Sequence, residues 1–193
     1  MLPLPVFFAP DGVAPQATTS AEAQGNKRPS GAIHVAVSAA GGSSDWSGDP
    51  VGYGGLRLGL RLFGILTPFA EGRLGYGKVD QRLLTFLSLG LEAGVLLQGR
   101  FYPRGFLAFV HQHEESMAAV AEEPFGAVLG IGPGIRHRAG VHFGAGFDFV
   151  IHRAAGFELT VGPELSGAYL TYSSGPNWYG MASASLGGSF RLF

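Results

Sequence analysis

The chain has 193 residues, enough for one domain. Only 14% of them are Asp, Glu, Lys or Arg, against about 25% in soluble domains, so there is too little charge to cover a water-facing exterior. The net charge of −1 without a basic patch excludes nucleic acid as a partner, and the absence of cysteine excludes disulfides, thiolate metal sites and cysteine nucleophiles.

In chain order, residues 1–30 read as a flexible tail or an atypical leader. They are rich in Ala, Pro, Ser and Thr, and their apolar start is broken by Pro3 and Pro5. Ala21-Glu22-Ala23 has the form of a cleavage site but lies far from that apolar start. From residue 31 onward the dominant period is two, the signature of strands. Segments fall at 31–40, 52–63, 67–77, 83–97, 101–112, 139–152, 155–171 and 178–192. In Leu56-Arg57-Leu58-Gly59-Leu60-Arg61-Leu62 leucine alternates with arginine or glycine, which only a strand sorts onto two faces. In the fourth segment Leu87, Leu89 and Leu91 alternate with Ser88, Gly90 and Glu92. In the sixth, Val141, Phe143 and Phe149 oppose His142 and Asp148; in the seventh, Glu158, Thr160 and Glu164 form the polar face.

Each segment is about as long as the 9–11 residues a tilted strand needs to cross a bilayer, or longer. No helix could do so, because the longest apolar stretch, 83–97, carries Glu92 near its centre. A membrane chain of this kind must cross as strands of a closed barrel. The links alternate as such a barrel requires. Those near 41–50, 76–82, 112–138 and 173–177 are long or moderate, and those at 64–66, 98–100 and 153–155 are tight. Aromatic residues gather near the strand ends, with Tyr53, Tyr76, Tyr172, Trp178 and Tyr179 on the long-loop side and Phe63, Phe101, Tyr102, Phe157 and Phe193 on the short-turn side, as two interfacial girdles would place them. A soluble barrel of the lipocalin kind would need to fit the leucine rows inside, where a narrow barrel has no room for them.

The pattern from residue 31 to the end resembles the small bacterial outer-membrane barrels of the OmpA/OmpX/OmpW type. That resemblance implies an all-β, closed eight-stranded antiparallel up-and-down transmembrane β-barrel in the bacterial outer membrane, in contact with outer-membrane lipid. The final Phe193 resembles the assembly signal of that family, although Ser183, Ser185, Ser189 and Arg191 share its parity where lipid-facing residues would be.

Two constellations carry chemistry. Arg57, Arg61, Glu71, Arg73, Glu92, Asp148, Glu158 and Glu164 fall on the polar faces. Eight strands leave a lumen just wide enough for side chains, so these charges form either a paired plug or the lining of a narrow gated pore. The second constellation is His111, His113, Glu115, His137 and His142. His111 and His113 share a face, and the long link returns His137 and His142 to the next strand. Imidazoles with a carboxylate suit zinc; the alternative is a hydrated polar rim. No other cofactor is implied.

A lipid A deacylase-like reading needs a serine two residues after the histidine, but His113 and Glu115 occupy those places and Ser116 has the other parity. The glycine-rich run 126–134 lacks the lysine and helix of a phosphate loop, and reads as a flexible loop or a bulged strand extension. The functional expectation is a structural, adhesion or partner-docking role, with envelope proteins meeting the loop 112–138. The alternative is an enzyme or metal-binding barrel using the His/Glu rim.

Overall fold

A computed structural model describes residues 31–44, 49–79, 81–132, 134–171 and 175–192. The tail or leader expected at 1–30 and the terminal Phe193 lie outside these residues. Eight strands follow in order: β1 (Gly31–Ser44), β2 (Asp49–Leu62), β3 (Leu66–Gly77), β4 (Arg82–Gly94), β5 (Phe101–Ser116), β6 (Arg136–Ala154), β7 (Phe157–Thr171) and β8 (Trp178–Arg191). Two short helices, α1 (Met117–Glu122) and α2 (Pro124–Leu129), lie between β5 and β6. Every strand pairs antiparallel with its sequence neighbour, and β8 returns to β1 over Ala32↔Arg191 to Ser44↔Tyr179, giving a closed barrel. Closure leaves no sheet edge unpaired.

The expected segments are found, with shifted ends. The link near 41–50 is mostly strand: β1 runs to Ser44, which pairs with Asp49. β4 stops at Gly94, and Leu97 only bridges to Phe101 within the turn. That turn reverses on Gln98 (φ 49°) and Gly99 (φ 70°); the β2–β3 turn does so on Phe63 (φ 54°) and Gly64 (φ 70°). Two successive left-handed residues make the hairpin turn whose twist matches the strands, and glycine at the second place removes half of its steric cost.

The link between β5 and β6 folds on itself. Ser116 caps α1 by accepting from the Ala119 amide at 3.3 Å. Pro124 starts α2, and Gly130 ends it in the left-handed conformation (φ 74°). The Met117 amide donates to the Gln81 carbonyl at 3.1 Å, tying the link to the neighbouring loop.

The exterior is apolar. Val37, Leu56, Leu58, Leu89, Leu107 and Leu165 are each more than half exposed, while Arg57, Glu71, Arg73, Glu92, Arg104 and Glu164 are buried. This inversion of the soluble pattern is that of a barrel facing lipid. No helix among the described residues is long and apolar enough to cross a membrane; the strands do so instead. Trp178, Tyr76 and Tyr169 face outward near the long-loop end, but Tyr53, Tyr179 and, at the short-turn end, Tyr102, expected in the girdles, point inward and are buried, and Tyr172 lies outside the described residues.

Candidate functional site

The core of the protein is its lumen, filled in two layers. The first is a belt of charges supplied by six strands. Glu164 on β7 is its hub: its carboxylate accepts from Arg104 at 2.6 Å, from Arg73 at 2.8 Å and from Arg57 at 3.1 Å. Arg57 also reaches Glu71 and Glu92, each at 3.2 Å. Arg73 pairs with Glu71 at 3.0 Å, and Arg104 with Asp148 at 3.2 Å and Glu92 at 3.3 Å. The Arg57 guanidinium lies 4.6 and 4.8 Å from the ring centres of Phe69 and Phe106. Charges taken this far out of water persist only when paired on several sides, and the belt meets that requirement.

Two of the charges read as luminal lie outside the belt. Arg61 stacks over the Tyr102 ring at 4.1 Å. Glu158 sits at the short-turn mouth and pairs with Arg153 at 2.8 Å. Both border a cleft of about 270 Å³ open at that end. Arg104, by contrast, belongs to the belt and pairs with three carboxylates, although the apolar run of β5 that follows it hides it in the sequence. A cavity of about 20 Å³ beside the belt holds roughly one water.

The second layer, nearer the long loops, is apolar. Tyr53, Phe86 and Tyr179 stack edge to face, with ring centres 5.3 and 5.4 Å apart, among Leu84, Val110 and Leu170. Tyr53 can lie across the lumen because β3 presents Gly75, where a Cβ would come within 2.0 Å of the ring. Above them Arg138 pairs with Glu114 and donates to the Tyr179 hydroxyl at 2.8 Å and to the Pro176 carbonyl. The Tyr179 hydroxyl in turn donates to Glu114 at 2.9 Å.

The structure divides the expected metal ligands. His142 faces the lumen, with Nδ1 3.2 Å from Ser88 Oγ and its ring against Phe106. His111, His113 and His137 face the opposite way, on the outer wall. His142 is five residues from His137, and an odd separation on one strand puts the two on opposite faces. His111 and His113 continue the outward row of Leu107 and Phe109. His113 pairs directly with His137 across the ladder. One ligand nitrogen from each of the three lies within 4.8 Å of the others, and His111 Nε2 is 3.4 Å from His137 Nδ1. Glu115 is not in this group; its carboxylate accepts from the Ser116 amide at 2.9 Å. The expected rim is thus a three-histidine patch on the outside, beneath the end of α2. A Cβ at Gly130 would come within 2.2 Å of the His113 ring.

No protein-family model matches the chain, and no curated protein matches it in sequence. Solved structures do match. Neisserial surface protein A is 11% identical, over 84% of this chain and 97% of that one, with a TM-score of 0.58. The N-terminal β-barrel domain of Pseudomonas aeruginosa OprF is 15% identical, over 84% and 100%, at 0.56. Ail, the attachment invasion locus protein of Yersinia pestis, is 12% identical, over 86% and 100%, at 0.52. The shared feature is the fold. Together with the apolar exterior, it makes the chain a small eight-stranded transmembrane barrel.

Proposed function

We propose that in the bacterial outer membrane this barrel acts through its loop-end surface, as an adhesion or docking platform, and that its lumen does not conduct. The observation that carries the reading is the charged belt centred on Glu164, with the aromatic layer stacked on it. Passage would require breaking buried ion pairs, at about 3–5 kcal/mol for each partner left alone. What remains for function is the outside. Phe125, Leu129 and Ile131, on and just after α2, are each more than 60% exposed, and exposed apolar patches mark interaction sites. The similar Yersinia protein is named for attachment and invasion, which favours the adhesive form of the reading.

The test is single-channel recording of the refolded protein in planar bilayers. The expected result is no conductance steps above the lipid baseline. Steady steps from wild type would overturn the sealed lumen. The platform is tested separately with cells expressing wild type or Phe125→Ser/Leu129→Ser/Ile131→Ser. Adhesion to host cells falls in the variant while the folded barrel is retained; unchanged adhesion would remove the loop from the account.

A further inference from the structure

The histidine patch on the outer wall has no part in sealing the lumen. It joins β5 to β6 at the neck of the longest link in the chain, residues 117–135. Its donors are three imidazoles and no carboxylate. Such a set favours borderline first-row ions such as Zn²⁺ over Mg²⁺ or Ca²⁺, which take oxygen ligands. The spacing agrees. Tetrahedral zinc with Zn–N of about 2.0–2.1 Å holds its nitrogens about 3.3 Å apart, and His111 Nε2 and His137 Nδ1 are 3.4 Å apart. The third imidazole falls within the 4.8 Å spread of the group.

His113 is only 6% exposed, and its Nδ1 is buried without a hydrogen-bond partner among the described residues. A buried nitrogen left bare is a costly arrangement that usually has a reason. The Gly130 backbone lies against this ring, so whatever fixes the imidazole also fixes the end of α2.

We propose that His111, His113 and His137 bind one Zn²⁺ ion through three imidazole nitrogens, the ion joining β5 to β6 and anchoring the base of the α1–α2 link. The fourth position is open to water. Glu115 and the luminal His142 take no part.

The test uses tag-free, EDTA-stripped protein refolded in detergent and titrated with ZnCl₂ by calorimetry. Wild type takes up one ion per chain. His111→Ala, His113→Ala and His137→Ala each weaken binding by more than about tenfold, whereas His142→Gln and Glu115→Gln bind as wild type. Co²⁺ gives the intense visible bands of a tetrahedral site in wild type, and these are lost in the three alanine variants. A heat-dependent gel shift shows that each variant is folded. Absence of zinc heat in folded wild type overturns the proposal, as does binding that survives all three alanine changes or is lost in His142→Gln.

Discussion

At the scale of single residues, Glu164 bears the greatest consequence, because three arginines converge on it. Glu164→Ala leaves Arg57, Arg73 and Arg104 under-compensated in a closed lumen and is expected to lower stability by about 3–5 kcal/mol. Urea titration followed by the folded-band gel shift reads this directly. A loss under about 1 kcal/mol would mean that water takes the carboxylate's place. Gly130→Val combines a left-handed φ with a clash against His113; it should leave the barrel folded and speed proteolysis of the 117–135 link. Strand parity was enough to read six of the belt residues from the sequence: Arg57, Glu71, Arg73, Glu92, Asp148 and Glu164. It failed at Arg104 because β5 is apolar on both faces there, with Phe106, Ala108 and Val110 inside and Leu107 and Phe109 outside. The inward position of His142 was legible from its alternation with Val141 and Phe143; its odd separation from His137 takes it out of the outward histidine group.

At the scale of elements, the two faces of each strand answer to different solvents. Leu89, near the middle of β4, is 64% exposed on the outer wall. Leu89→Arg is expected to cost about 2–4 kcal/mol in lipid, measured by urea unfolding in vesicles. The same change in detergent micelles should cost less, since a micelle deforms around the charge. All eight strands were readable because a half-buried strand writes a period of two over ten or more residues. The helices were not. Six residues span less than two helical turns, too few to establish a 3.6-residue period. The run 126–134, read as a flexible loop or bulged strand, begins inside α2 and includes its cap. Ser116 before α1 and Pro124 at the start of α2 were the available cues.

At the scale of the whole molecule, the charged belt and the aromatic layer are separate seals in series. Phe86→Ala removes the middle ring of the Tyr53–Phe86–Tyr179 stack. It should lower stability by about 3–5 kcal/mol without producing conductance, because the belt beneath remains. Conductance from this single change would show that the belt is permeable and that the aromatic layer alone closes the barrel.

The pairing of β8 with β1 joins residues as far apart as Ala32 and Arg191. Contacts so distant along a chain carry the largest loop-closure cost and form late. Until that seam closes, the strands flanking it expose unpaired amides and carbonyls, which hydrocarbon cannot satisfy. Insertion is therefore expected to be coupled to closure: changes that weaken the β1–β8 seam should slow entry into vesicles, followed by the folded-band gel shift, before they alter the finished barrel.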